Sequence, residues 1–392
     1  MKWTFAVILT HIINLIALPV FACTEVFLYR NNVALIGRTM DFPINVSTNM
    51  VGYNKGIKQV STYMRPTSND ATKVAEWTVD YPYLGREILN TGLIVDGANV
   101  EGLSAAFLYL PGTQYPSDST ATDKSTLSFF DLGSFALATS KNVDEALANI
   151  QKHRISKSAL AISPKIAIKD APLHLSLKDK HGHSAVIEAI NGELKIYRGE
   201  KAGKILTNWP PLPEQYKNLE NYRSLLNYDQ NAQKSKFANI PGFEVMMESS
   251  SLRDNIKSMV GIPGDYSPPS RFVRATYLEK NIPFMKEPNN YYYPMEHILN
   301  SVFVPYSALP NSTATLWYTI KDLTHNRITY KNSMFLYQGK LSFIGNVVET
   351  IDLNQLFSTG VKTINGEGKL SQAIDQPENY TYYSVDEYIA KH

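Results

Sequence analysis

Cys23-Thr24-Glu25-Val26-Phe27-Leu28-Tyr29-Arg30-Asn31-Asn32-Val33-Ala34-Leu35-Ile36-Gly37-Arg38-Thr39 holds two apolar-rich runs separated by Asn31-Asn32. The stretch reads as a β-hairpin with Cys23 at the free end of its first strand. Asp41 follows as the second strand ends. A second hairpin, Ser184–Ile190 and Glu193–Tyr197 around Asn191-Gly192, carries a type I′ turn signal, and Leu173–Leu177 is expected to pair on its other side. Leu316–Ile320, Met334–Tyr337 and Lys340–Gly345 are further strand candidates. Helices are expected over Ser125–Thr139, Val143–His153, Glu214–Leu226, Ser270–Lys280 and Pro294–Val302, with Asn142 and Glu145 forming a capping-box-like start to the second. Strands and helices come in blocks, without strict βαβ alternation. That argues for an α+β fold, read as one domain over residues 23–392.

The 392-residue chain carries 38 Lys+Arg against 36 Asp+Glu, so it offers no electrostatic footprint for nucleic acid. It has no Gly-rich phosphate loop, and no cofactor is expected. A single cysteine rules out an internal disulfide.

Residues 1–22 place Lys2 ahead of an apolar stretch from Phe5 to Val20, broken by Thr10, His11 and Asn14. Val20 and Ala22 sit three and one residues before Cys23, the spacing of a signal-peptidase cut after Ala22. No other segment approaches ~20 consecutive apolar residues. The expected mature protein is therefore exported, to the periplasm or the extracellular medium, and free of the membrane once cut. Cys23 becomes its first residue, a poor place for an inert core thiol.

Two chemistries begin with an N-terminal cysteine. In a lipoprotein it anchors lipid, although Val20-Phe21-Ala22 fits that signal imperfectly because Phe21 is bulky. In an N-terminal nucleophile enzyme its thiol attacks and its own α-amine accepts the proton. Unperturbed pKa values of about 8.5 and about 7.7–8.0 poise the two groups for exchange near neutral pH. Lipid maturation acylates that amine, so the readings exclude each other.

Cys23-Thr24 and Gly37-Arg38-Thr39-Met40-Asp41 recur with three further segments in a fixed order. These are Asp96-Gly97-Ala98-Asn99-Val100-Glu101-Gly102-Leu103, Leu206-Thr207-Asn208-Trp209-Pro210, and Pro263-Gly264-Asp265-Tyr266-Ser267-Pro268-Pro269-Ser270-Arg271-Phe272. Together they resemble the choloylglycine hydrolases, the family of bile salt hydrolases and penicillin V acylases. The resemblance covers most of residues 23–280. It implies a four-layer αββα sandwich of two antiparallel sheets flanked by helices. It also implies hydrolysis of a linear amide between an apolar acyl group and a small polar amine, with a small-molecule substrate and a homotetramer as in many family members. Bile salts lead the substrate classes, with penicillin V and acyl-homoserine lactones as alternatives.

By the same resemblance Cys23 is the nucleophile and Asp41 holds its α-amine. Arg38 lies beside the thiol, where a cation raises the thiolate fraction. Asn208 and the backbone N–H at Asn99 are oxyanion donors, and Arg271 is the second active-site cation. On the residues alone, Asp41 also reads as a turn aspartate, Asn99 and Asn208 as turn residues, and Arg38 and Arg271 as surface arginines. His181-Gly182-His183 lacks a carboxylate or cysteine cluster at ligand spacing and reads as a solvated turn. Trp209 and Tyr291-Tyr292-Tyr293 are candidates for an apolar acyl pocket.

Overall fold

A computed structural model describes residues 23–42, 48–63, 72–88, 91–117, 123–156, 160–163, 166–168, 171–222, 261–283, 291–305, 313–332, 335–337, 340–342, 348–358 and 381–383. The signal-like segment 1–22, the polar stretch 223–250 and the glycosylation sequons at Asn45, Asn311 and Asn379 lie outside the described residues.

Two antiparallel sheets organise the molecule. The first orders its strands as Ile205–Thr207, Thr24–Arg30, Val33–Phe42, Ala314–Asp322, Arg327–Asn332 and Val348–Asp352. The second runs Glu193–Arg198, Ser184–Ile190, Leu173–Asp179, Leu103–Tyr109, Ile94–Asn99, Tyr83–Ile88 and Thr48–Tyr53. Both predicted hairpins are present, and their Asn31-Asn32 and Asn191-Gly192 turns take positive φ at all four residues. Period-two alternation gives the strand Val33–Phe42 two different faces. Gly37, Thr39 and Asp41 look toward helices, while Arg38 reaches across to the second sheet and donates to Val95 O at 2.8 Å.

Helices cover the outer faces, which completes the αββα order. Tyr292–Val302 and Pro268–Lys280 pack on the first sheet; Leu132–Thr139 lies on the second, with Val143–Ile150 against it. Glycine sets how closely these layers approach. A Cβ at Gly37 would stand 2.5 Å from Met295 Sδ, and one at Gly97 would stand 2.8 Å from Leu84 O and 3.0 Å from Leu137 Cδ1. A side chain at Gly37 would have to displace Met295 on the facing helix, and one at Gly97 would press on the backbone of the neighbouring strand.

Several boundaries differ from the sequence expectation. The single helix expected over Ser125–Thr139 divides into a strand Thr126–Ser128, a 3-10 turn Phe129–Asp131 and the helix Leu132–Thr139. Thr126–Ser128 pairs in parallel with Arg154–Ser156, and the Ser128 hydroxyl accepts the Phe130 N–H at 3.2 Å, so pairing and a cap override the apolar pattern. Asp41 does not follow its strand but lies inside it, since pairing with Ala314–Asp322 carries the strand to Phe42. The helix after Asn208 begins at Leu212.

Asp131 ties this region to a neighbouring segment. Its carboxylate accepts Ser61 Oγ and Thr62 N, each at 2.7 Å, and Thr62 Oγ1 at 3.0 Å. Burial outweighs these bonds and pushes its pKa up to about 6. A carboxyl whose native pKa exceeds its unfolded value takes up a proton on folding between the two, so it adds stability as pH falls through about 6 toward about 4. Against Asp131→Asn, the native sequence should gain about 2–3 kcal/mol between neutral pH and about pH 4. Chemical denaturation of both proteins across that range measures the difference; a flat difference would refute the shift.

Candidate active site

The register of the first hairpin builds the site. Thr24 pairs with Thr39, which leaves Cys23 beside Met40 with Sγ 3.8 Å from Met40 Sδ. The strand Ile205–Thr207 pairs on the other side of Thr24 and delivers Asn208 to the backbone nitrogen of Cys23, which donates to Asn208 Oδ1. Pro268–Lys280 supplies Arg271. Its Nη1 donates to Cys23 O at 2.9 Å, to Thr24 Oγ1, and to Asp41 Oδ2 at 3.4 Å; its Nη2 donates to Asn208 Oδ1 at 3.3 Å.

Asp41 takes two further hydroxyls, Thr39 Oγ1 at 3.2 Å and Thr315 Oγ1 at 2.6 Å. Thr315 reaches it because the register with Val33–Phe42 shifts between Thr315 and Trp317. That bulge puts Thr315 on Asp41's face of the sheet, while Trp317, paired with Met40, faces inward under the Arg38 guanidinium at 5.3 Å. Nothing in the letters of Ala314–Asp322 announces this device.

Burial dominates the electrostatics. Cys23 is 4% exposed, and Arg38, Asp41, Asn208 and Arg271 are fully buried. Desolvation raises the Cys23 thiol above its ordinary pKa, against opposing pulls from Arg38, from the Asp41 N–H and from Arg271. Arg38 thus acts in the expected direction, but burial wins. Desolvation likewise pushes Asp41 up to about 6, although Arg271, Thr315 and Thr39 all favour its charged form. Arg38 is held in turn by Asp96, 3.6 Å from Nη1, a carboxylate shared with Lys321 and with Thr319 Oγ1 at 3.0 Å.

Five of the six expected site residues therefore meet around Cys23: Cys23 itself, Arg38, Asp41, Asn208 and Arg271. The nitrogen of Cys23 rests on Asn208, and no bond from it to Asp41 is seen among the described residues. Asn99 is the correction. Its Nδ2 donates to Leu137 O at 2.9 Å and Ser140 O at 2.7 Å, and its Oδ1 accepts Glu101 N and Leu103 N. It makes the turn between Ile94–Asn99 and Leu103–Tyr109, lining a small recess with Asp322, Leu323 and Asn326. Asp322 is seven residues along the strand from Thr315, about 23 Å at ~3.3 Å per residue. Asn99 thus sits at the opposite end of the sheets from Cys23, and its N–H cannot reach an oxyanion there. Tyr291 is likewise remote, with its hydroxyl accepting Asn31 Nδ2 at the hairpin turn, whereas Trp209 is half exposed beside Asn208.

Asn208 Nδ2 is buried without a hydrogen-bond partner among the described residues. An orphaned buried amide of this kind is costly unless something is meant to fill the position. His181 and His183 cap a turn through Asp179, and among the described residues no group of three His, Cys, Asp or Glu side chains could hold a metal.

Two facing antiparallel sheets with helices outside and a buried cysteine at the start of a strand define the N-terminal nucleophile hydrolase fold. The solved penicillin V acylase from Agrobacterium tumefaciens superimposes with a TM-score of 0.62 at 23% identity, over 86% of this chain and 87% of its own. A mutant conjugated bile acid hydrolase from Clostridium perfringens gives a TM-score of 0.63 at 21% identity, over 93% and 99%. The family model for linear amide C–N hydrolases, choloylglycine hydrolase family, matches residues 23–337, and the chain belongs to that family. Among curated relatives, the penicillin V acylase of Pectobacterium atrosepticum is 26% identical over 79% of this chain and 77% of its own length. The bile salt hydrolase/transferase of Clostridium perfringens is 24% identical over 83% and 90%. The protein is a hydrolase of linear amide C–N bonds.

Proposed function

We propose that the chain is exported, is cut after Ala22, and works as an amidase whose nucleophile and base both belong to Cys23. The observation that carries this reading is the convergence of Asn208, Arg271, Asp41 and Arg38 on one cysteine, with Asn208 Nδ2 left unpaired among the described residues. The freed α-amine takes the thiol proton, and Sγ adds to the carbonyl carbon while the carbonyl electrons move to oxygen. Asn208 Nδ2 donates to that oxyanion. Collapse breaks the C–N bond, and the α-ammonium returns the proton to the departing amine. Water, deprotonated by the same amine, then cleaves the thioester and releases the acid and the thiol. Arg271 and Asp41 hold the strand end and Asn208 in place, and Arg38 supplies positive charge beside Sγ.

The substrate we infer is an amide joining an apolar acyl group to a small polar amine, as in conjugated bile salts. Asn99 stands away from Cys23, at the far end of the sheets, and takes no part in choosing among substrates. Penicillin V and acyl-homoserine lactones present the same apolar acyl half. Half-exposed Trp209, next to Asn208, is the aromatic surface we assign to it.

Intact mass of the exported protein tests the frame. A chain starting at an unmodified Cys23 is expected, whereas a diacylglyceryl adduct on that residue would make it a lipoprotein anchor and end the enzymatic reading. A panel of glycocholate, penicillin V and a long-chain acyl-homoserine lactone then ranks the substrates by kcat/KM. Hydrolysis of at least one is expected, and turnover of none would overturn the substrate assignment.

A further inference from the structure

Asn208 is held indirectly, by a residue that touches neither Cys23 nor any group of the reaction. Gln215 lies on the helix Leu212–Glu220, which follows Asn208 after the turn Trp209-Pro210-Pro211. It is fully buried, and its amide faces back onto that turn. Oε1 accepts Thr207 N at 3.2 Å and Thr207 Oγ1 at 2.9 Å; Nε2 donates to Pro210 O at 2.6 Å and to Thr207 O at 3.3 Å. One side chain thus grips the residue before Asn208 and the residue two after it. Thr207 Oγ1 also lies 3.1 Å from Pro268 O, a second acceptor that shares its one proton, which links the grip to the helix carrying Arg271.

The helix itself does not need this arrangement. The side chain of Gln215 serves no cap there, and it faces the turn rather than the helix's own termini. A glutamine offers an acceptor oxygen and a nitrogen with two N–H donors on a single rigid plane. A buried turn with a free N–H on one side and a free C=O on the other requires that combination. Asn208 Nδ2, unpaired among the described residues, gives the grip its purpose, because an oxyanion donor stabilises charge only where its direction is fixed beforehand.

We propose that Gln215 is the positioning residue for Asn208 and that it sets the alignment of Nδ2 toward the reacting carbonyl. The proposal rests on Asn208 being an oxyanion donor, so Asn208→Ala is measured alongside. Removing a donor costs about 10²–10³ in rate, and misaligning one should cost less, about 10-fold to 100-fold. Gln215→Met keeps the volume and removes all four bonds. With glycocholate and penicillin V as probes, it should lower kcat by that factor and change KM by less than about threefold. Alkylation of Cys23 by iodoacetamide should stay within about twofold of the parent, because the nucleophile is untouched.

Gln215→Glu gives a second reading should the methionine variant not fold. An ionised glutamate can accept from Thr207 but opposes Pro210 O, whereas a protonated one can donate to it. Its kcat relative to the parent should therefore rise as pH falls from about 8 to about 5, since burial raises a carboxyl's pKa into that range. A Gln215→Met enzyme of unchanged kcat beside a crippled Asn208→Ala would overturn the positioning role. A flat pH ratio for Gln215→Glu would do the same. Unchanged kcat in Asn208→Ala would instead remove the oxyanion reading beneath it, and the proposal with it.

Discussion

Cys23→Ala is expected to reduce amide hydrolysis by about 10⁴-fold or more, and mass spectrometry should find no acyl-enzyme adduct on the variant where the parent forms one. The size of the effect follows from what the thiol contributes. In the proposed mechanism addition of Sγ divides one difficult hydrolysis into two displacements, and no other cysteine exists in the chain to replace it. The substitution removes only a sulfur that touches Met40 Sδ at 3.8 Å, while the nitrogen of residue 23 keeps its place on Asn208. Folding should therefore be preserved, and the loss should fall on kcat. Cys23→Ala retaining even a hundredth of parental activity, with clean N-terminal processing, would mean that another group attacks the amide.

The two halves of the site differed in how far they could be read from sequence. The hairpin from Thr24 to Phe42 was legible because Asn31-Asn32 interrupts two apolar runs, and its register alone puts Cys23 next to Met40 and Arg38. Asn208 and Arg271 were legible through ordered motifs, though on their own each reads as a turn or surface residue. Asn99 misled because a D-G-x-N turn looks the same in sequence at either end of a sheet. Only the pairing of its strand with Leu103–Tyr109, and the contact with Leu323 and Asn326, reveals which end it occupies. Thr315 and Gln215 were invisible for another reason. Their roles depend on a one-residue bulge and on a buried turn between distant elements, and neither leaves a periodic or compositional signal. The sandwich itself was implied by resemblance, since strand blocks beside helices fit several α+β arrangements.

Arg271→Met should destabilise the protein by about 3–5 kcal/mol, the cost of leaving a buried charge without its partner. Asp41 is that charge. In the native site its carboxyl already sits at about 6 because burial outweighs Arg271 and the two threonine hydroxyls. Without the guanidinium it should rise further and bind a proton at neutral pH, which softens the penalty and makes it pH-dependent. The variant should therefore lose less stability near pH 5 than near pH 8, by about 1.4 kcal/mol per unit that the Asp41 pKa climbs within that window. The double variant Arg271→Met with Asp41→Asn removes both charges and should recover more than half of the lost stability, a coupling that a double-mutant cycle reads directly. Activity should not follow. Arg271 also holds Cys23 O, Thr24 Oγ1 and Asn208 Oδ1, and none of these bonds returns when Asp41 is neutralised. A double variant that folds well but stays at least about 100-fold slow would separate the two duties of this arginine: balancing a buried carboxylate and fixing the nucleophile's strand end. Full recovery of kcat with stability would reduce Arg271 to charge balance alone.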